Sequence, residues 1–164
     1  MDPIAALTAL ASIAASLVGF TGLLTAFRAN ADTLSPNDVS NIRILLIFSV
    51  SALVFALLPM PVVAFAAPMV WWRALAVLLG TFLIFWLVQS PRWMRRKGLR
   101  PRNPRLYWSM LVLQAAIGLA VVGGGIGHPT PQPFYIVGVL WCLLTAITVF
   151  VVQIFVMLPI QRDH

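Results

Sequence analysis

Five long apolar intervals, separated by short polar or charged connections, make up most of the sequence. A helix that spans a bilayer needs about 20 predominantly apolar residues, so each interval predicts one spanning helix. The intervals cover residues 4–27, 44–66, 74–90, 106–125 and 134–160. The expected fold is an all-α polytopic transmembrane helix bundle, with residues 1–164 forming a single transmembrane domain.

Prolines interrupt the end of the second interval. Pro59, Pro61 and Pro68 fall within its last residues or directly after them. Because proline ends or kinks a helix, we expect the regular helix to stop near Leu58 and an irregular apolar hairpin to follow it.

The third interval is short for a span, but tryptophans flank it on both sides. Trp71 and Trp72 precede it, and Trp93 follows it. Tryptophan favours the headgroup level at both membrane surfaces, so we expect a short helix that is anchored at its two ends.

A connection rich in glycine and proline separates the last two intervals. On this composition, the stretch from Gly123 to Pro133 cannot be regular helix and is predicted to be a helix stop followed by a turn. The alternative is a mobile lid in which His128 contacts a proton or a metal ion. No partner with metal-ligand spacing accompanies this histidine, so we expect no metal site.

The first interval has a second interpretation, as a secretory signal peptide, because Ala29-Asn30-Ala31 resembles a small-residue cleavage site. However, the interval lacks a positively charged n-region, and its apolar stretch exceeds the usual length of about 7 to 15 residues. We therefore assign it as a spanning helix.

The composition excludes a water-soluble domain. Hydrophobic residues make up 61% of the chain and charged residues 9%, whereas a soluble domain needs roughly a quarter of its residues charged. There is no glutamate, and the four aspartates all lie outside the apolar intervals. The single cysteine, Cys142, permits no internal disulfide and no cysteine-based metal site.

Seven of the eleven basic residues fall between the third and fourth intervals. They are Arg92, Arg95, Arg96, Lys97, Arg100, Arg102 and Arg105. Positive charge beside spanning helices resists translocation, so this loop is predicted to be cytoplasmic, with the N-terminus outside and the C-terminus inside. Arg28, Arg43 and Arg162 then also lie on the inner side, and Arg73 lies on the outer side.

This basic loop has two candidate partners, anionic lipid headgroups and nucleic acid. Lipid attraction is worth about 1 kcal/mol per basic residue near the membrane surface. The aromatic residues around the loop, such as Trp93, Tyr107 and Trp108, suit an interfacial belt better than a base-stacking platform. We expect contact with membrane lipids, including anionic headgroups, and no nucleic acid.

The first interval carries small residues on one helical face. Successive members are three or four residues apart, which places all of them on the same side of a helix. This small-residue face comprises Ala5, Thr8, Ser12, Ala15, Gly19, Gly22 and Ala26. Small residues let helix backbones approach closely in lipid, so we expect Gly19 and Gly22 to lie at a helix contact. The contact is either with another helix of the same chain or between copies that meet at a symmetry axis, where Thr8 and Ser12 would line a pore.

Several polar side chains fall inside the apolar intervals at a similar depth. This polar layer comprises Gln114, Gln153, Ser49, Ser51 and Thr21. An amide that faces hydrocarbon would leave its donors and acceptors unpaired, at a cost of several kcal/mol. We therefore expect the two glutamines to point into the bundle and to bond to each other or to these hydroxyls. The layer is either an interhelical clamp or a translocation site.

Motifs for enzymatic chemistry are missing. The sequence contains no phosphate-binding glycine loop followed by lysine, no paired carboxylates, no histidine pair at helical spacing and no serine nucleophile with a basic partner. We expect no enzyme activity, no catalytic or metal-binding residues and no cofactor.

The stretch from Ala11 to Arg28, with Arg43 and Leu57-Leu58-Pro59 after it, resembles a group of small uncharacterised bacterial multi-pass membrane proteins. The resemblance covers roughly the first 60 residues. It implies a location in the bacterial inner membrane and implies no activity.

Three functions agree with these features. The leading hypothesis is an inner-membrane protein that self-associates through its first helix as a homo-oligomer and acts as a channel or small-solute transporter. The alternatives are a structural or accessory subunit of a larger membrane complex, for which the small-residue face is a binding surface, and a membrane-acting defence effector.

Overall fold

A computed structural model of the chain describes residues 2–29, 36–63, 68–96, 98 and 104–157. Within these ranges the protein consists of α-helices and contains no strand. The helices are α1 (Pro3–Ala29), α2 (Pro36–Leu57), α3 (Pro59–Val63), α4 (Pro68–Arg96), α5 (Pro104–Gly127) and α6 (Gln132–Met157). All except α3 are long and apolar enough to cross a membrane, which confirms the predicted five-span helical fold.

Proline is the first residue of five of the six helices that the structure describes. Its fixed φ suits the first helical position, where its missing N–H would have had no intrahelical partner. These residues are Pro3, Pro36, Pro59, Pro68 and Pro104. At the first helix, Asp2 completes the start because its carboxylate oxygen accepts a hydrogen bond from the backbone N–H of Ile4 at 3.0 Å.

The end of the second span agrees with the prediction from its prolines. Helix α2 ends at Leu57, Leu58 forms a turn and α3 follows as a short helical segment. The remainder of the predicted hairpin, residues 64–67, lies outside the described residues.

The prediction of a short third span is wrong. Helix α4 has 29 residues, which makes it the longest helix, and it includes the tryptophans that were expected to flank it. It also continues past Pro91 to end on Arg95 and Arg96. Tryptophan and arginine can remain helical here because their long side chains reach the headgroup region from within the helix.

The prediction for the glycine-rich connection is wrong over its first five residues, because α5 continues to Gly127. Gly124 and Gly125 are buried in this helix. A Cβ on Gly125 would lie 2.9 Å from a side-chain carbon of α4, and one on Gly124 would overlap the ring of Phe134. These glycines therefore permit close packing, and helical structure is interrupted only over residues 128–131.

Helix α6 lies at the centre of the bundle, where it packs against α1, α2, α4 and α5. Tyr135, near its start, is fully buried and donates a hydrogen bond from its hydroxyl to the backbone carbonyl of Phe55 on α2. The ring of Trp72 on α4 packs against the same tyrosine, with 5.7 Å between ring centroids. One side chain thus joins three helices at this end of the bundle.

Helices α4 and α5 form the most extensive backbone contact, and glycines make it close. A Cβ on Gly80 of α4 would lie 2.5 Å from Cγ2 of Val122 and 3.0 Å from the carbonyl oxygen of Gly118. On α6, a Cβ on Gly138 would lie 2.7 Å from Cδ2 of Leu79. The small-residue packing of this fold therefore occurs among α4, α5 and α6.

Candidate functional site

The small-residue face of α1 points out of the bundle. Its six members with described side chains, Ala5 to Gly22, are all exposed, and Ala26 lies outside the described side chains. A Cβ added to Gly19 or Gly22 would meet no heavy atom within 4 Å. The expectation that this face packs against another helix of the same chain is therefore wrong for the described residues.

Helix α1 packs on α2 and α6 through a different face. The residues it buries are Leu7, Ala11, Ala14, Leu17 and Thr21. Two large apolar residues of α1, Ile13 and Phe20, are exposed. Periodicity identified which residues share a face, but it did not determine which face of α1 packs against the other helices.

Hydroxyl groups on the small-residue face bond to their own helix. Thr8 donates to the carbonyl of Ile4 at 2.9 Å, and Ser12 donates to the carbonyl of Thr8 at 3.1 Å. Ser16, one turn further, donates to the carbonyl of Ser12 at 3.0 Å. Because each hydroxyl proton is donated to a carbonyl of α1 itself, these side chains present acceptor oxygens to the surroundings of the helix.

Gln114 of the polar layer joins α5 to α4. Its side chain is buried, and its Nε2 atom donates a hydrogen bond to the backbone carbonyl of Leu83 at 2.9 Å. A donor to a backbone carbonyl across a helix contact acts as an interhelical clamp.

Gln153 belongs to a separate contact, between α6 and α2. It is 1% exposed, and its Oε1 atom accepts a hydrogen bond from Nδ2 of Asn41 at 3.3 Å. The predicted bond between Gln153 and Gln114 is therefore wrong, because the two amides lie at different helix pairs. The depth estimated from the sequence placed both glutamines at the same level of the membrane. Depth does not determine which neighbouring helix each side chain contacts.

Asn41 is a polar-layer residue that sequence analysis missed. The sequence predicts a second span that begins at residue 44, whereas α2 begins at Pro36, which places Asn41 inside the helix. The sequence did contain the signal, because Ser35-Pro36 followed by Asp38 is a typical helix start, with serine before proline and an acidic residue in the first turn.

The hydroxyls of the polar layer differ in their surroundings. Thr21 is buried and donates to the carbonyl of Leu17 at 2.7 Å, and Ser51 is half-buried. Ser49 is fully buried, and its Oγ atom has no hydrogen-bond partner among the described residues. The predicted bond from either glutamine to Ser49 is therefore wrong.

Thr145 on α6 is a second buried hydroxyl without a partner among the described residues. Ser49 lies eight residues after Asn41, and Thr145 lies eight residues before Gln153. Since Asn41 bonds to Gln153 across an antiparallel helix pair, the two unpaired hydroxyls lie at the same level of the α2 and α6 contact. Each buried hydroxyl left without a hydrogen-bond partner costs about 1 to 3 kcal/mol.

Four of the seven basic residues between the third and fourth spans belong to the described residues. Arg92, Arg95 and Arg96 are exposed on the last turns of α4, and Arg105 is exposed at the start of α5. The rest of the predicted lipid-contact set, Lys97, Arg100 and Arg102, lies outside the described residues.

A cavity of about 280 Å³ opens beside these arginines, between α2 and α4. From α2, its lining includes Arg43, and from α4 it includes Trp86, Gln89, Arg92, Trp93 and Arg96. The α4 residues are three or four positions apart or adjacent, so they occupy one side of the helix. From the sequence, Arg43 was assigned only to the inner side of the membrane. In the structure it lines the same cavity as two arginines of the basic loop.

Aromatic side chains explain why a cavity forms at this place. Within the described residues, α2 and α4 are not among the helix pairs whose backbones approach closely. Large rings bridge the gap, with Phe55 and Phe82 at 5.5 Å between centroids and Phe48 and Trp86 at 6.0 Å. The arginine-lined cavity lies next to this series, and Trp86 belongs both to the series and to the lining of the cavity.

His128 and Cys142 lie in different surroundings. His128 is exposed, and its Nδ1 atom accepts a hydrogen bond from the backbone N–H of Thr130 at 3.2 Å. Cys142 is a free, buried cysteine within α6. Among the described residues, no group of three metal-ligating side chains comes together.

Comparisons of the chain with protein-family models, curated proteins and solved structures found no match.

Proposed function

We propose that the chain is a multi-pass protein of the bacterial inner membrane that self-associates through the small-residue face of α1 and acts as a channel or small-solute transporter. The exposure of this face outside the bundle is the observation that supports the proposal. A face that is free in one chain and built of small residues remains available to a second copy.

Self-association through this face follows from the forces between helices in lipid. Lipid tails are as apolar as leucine, so hydrophobicity does not drive two helices together, and close backbone packing supplies the attraction. Gly19 and Gly22 leave open space beside the helix that the same face of another chain can enter. Identical contacts repeated around an axis produce a closed oligomer.

Solute passage is proposed because the same side of the helix carries polar oxygens. The hydroxyls of Thr8, Ser12 and Ser16 are one turn apart and exposed. Their protons are bonded to the helix, so in an oligomer their oxygens would face the axis as acceptors. Acceptor oxygens favour water or a cation over an anion.

Cysteine cross-linking tests the self-association. On a Cys142→Ala background, Ala15→Cys and Gly19→Cys should each form a disulfide between copies when native membranes are oxidised. Leu119→Cys provides the matched control, because Leu119 is 64% exposed on α5, away from this face. Equal cross-linking at all three positions would show that the contact is random collision.

Flux measurements separate a channel from an accessory subunit. Purified protein in liposomes should conduct water or small cations, and Gly19→Leu should remove both the oligomer and the flux. An accessory role predicts no flux and the copurification of a different membrane protein, which should be lost in the same variant.

A further inference from the structure

The cavity between α2 and α4 combines positive charge with aromatic walls at one end of the bundle. Arg43 comes from α2, and Arg92 and Arg96 come from adjacent turns of α4. Three arginine residues thus line a cavity of about 280 Å³. The amide of Gln89 adds a further hydrogen-bond donor on the same wall.

No described carboxylate balances this charge. Among the side chains that the structure describes, Asp2 is the single carboxylate, and it caps the start of α1. Like charges placed together repel one another, so an anion in the cavity would relieve the repulsion among the three arginines.

An aromatic ring of α4 contacts one of the three arginines. The guanidinium carbon of Arg43 lies 5.7 Å from the centroid of the Trp93 ring, within the range of a cation–π contact. This contact holds the arginine against α4 and keeps its donors beside the cavity. Trp86 and Trp93 also favour the headgroup level of a bilayer, which places the cavity at the membrane boundary.

We propose that this cavity binds a phosphate group at the membrane boundary, carried by an anionic phospholipid or by a small phosphate ester. The planar fork of arginine matches phosphate oxygens with two parallel hydrogen bonds. The cavity lies just below the range of about 300 to 1,000 Å³ that is typical of sites for drug-sized ligands. It therefore suits a headgroup or a small ester, while the acyl chains of a lipid would stay in the bilayer.

Native mass spectrometry of the full chain in detergent tests the lipid source. Phosphatidylglycerol and phosphatidylcholine with the same acyl chains are titrated against wild type, Arg43→Gln and Arg96→Gln. Phosphatidylglycerol should bind more tightly, and each variant should lose about tenfold in affinity, because one charge-assisted contact is removed. Arg96→Gln keeps the test valid if Arg43→Gln fails to fold.

Arg95→Gln is the matched control. Arg95 lies on α4 beside Arg96, is exposed and does not line the cavity, so the variant removes the same charge from the same surface. Its affinity for phosphatidylglycerol should change by less than about twofold. An equal loss in all three variants would overturn the proposal, because it would show diffuse attraction to the basic surface.

A second arm tests the soluble source. In nanodiscs of phosphatidylcholine alone, glycerol 3-phosphate is titrated while tryptophan fluorescence is recorded, since two tryptophans line the cavity. Saturable binding that depends on Arg43 and Arg96 but not on Arg95 assigns the site to a phosphate ester. If neither phosphatidylglycerol nor glycerol 3-phosphate binds in this way, the cavity is not a phosphate site.

Discussion

Adding one methyl group at Gly80 should destabilise the bundle, whereas the same change at Gly19 should not. The new Cβ at position 80 would lie 2.5 Å from Cγ2 of Val122, about 1 Å closer than ordinary van der Waals contact. It would also lie 3.0 Å from the carbonyl oxygen of Gly118 and 3.1 Å from the backbone nitrogen of Val122. Rotation of a side chain can relieve the first overlap, but only displacement of α5 can relieve the other two.

The magnitude follows from two opposing effects. Overpacking of a close contact typically costs about 1 to 3 kcal/mol, and replacing glycine with alanine inside a helix returns up to about 1 kcal/mol. We therefore expect Gly80→Ala to lower the free energy of unfolding by about 1 to 2 kcal/mol. The Cβ of Gly19→Ala meets no atom within 4 Å, so only the gain in helix propensity should change the free energy of unfolding of this variant.

Reversible unfolding of monomeric protein in mixed detergent micelles measures both variants against wild type. The detergent must keep the protein monomeric, since Gly19 also belongs to the proposed contact between copies. Equal stability of Gly80→Ala and Gly19→Ala would refute the assignment of the close glycine contact to α4 and α5.

Two further predictions concern the polar layer and the orientation. In a double-mutant cycle with leucine, Asn41 and Gln153 should couple by about 0.5 to 1.5 kcal/mol, whereas Gln114 and Gln153 should be additive, because only the first pair shares a hydrogen bond. A larger coupling energy for Gln114 and Gln153 than for Asn41 and Gln153 would contradict these hydrogen bonds. In intact cells, an impermeant thiol reagent should label a cysteine at Thr130 and should not label one at Asn103; labelling at Asn103 from outside would invert the topology.

The sequence was sufficient for the architecture because each bilayer-spanning helix must satisfy its own backbone hydrogen bonds and cover itself with apolar side chains. Because of that requirement, each of the five spanning helices can be recognised in the sequence as an apolar interval. It does not identify where each helix ends, since tryptophan, arginine, glycine and proline at a first turn all occur inside helices here. The full lengths of α4 and α5 were missed for this reason.

The candidate sites were less predictable, because they depend on which helices become neighbours. Periodicity grouped the small residues of α1 correctly but could not state that Leu7 and Leu17 would turn inward instead. The estimated depth placed Gln114 and Gln153 at the same level of the membrane, yet each forms a hydrogen bond with a different helix. The cavity depends on the meeting of Arg43 with Arg92 across two helices, and no local pattern in the sequence encodes that contact.

The unequal spacing of the helices divides the bundle into stiff and compliant parts. Glycines hold α4 against α5 by backbone contact, which resists shear, because any sliding brings main-chain atoms into collision. Among the described residues, side-chain contacts connect α2 to α4, chiefly through aromatic rings, and a ring can tilt about its side-chain torsions while keeping contact with its neighbour. A change in bilayer thickness or lateral pressure should therefore move α2 relative to α4 before it disturbs α4 and α5. The mouth of the cavity lies between α2 and α4, so its width should change with the thickness and lateral pressure of the surrounding membrane.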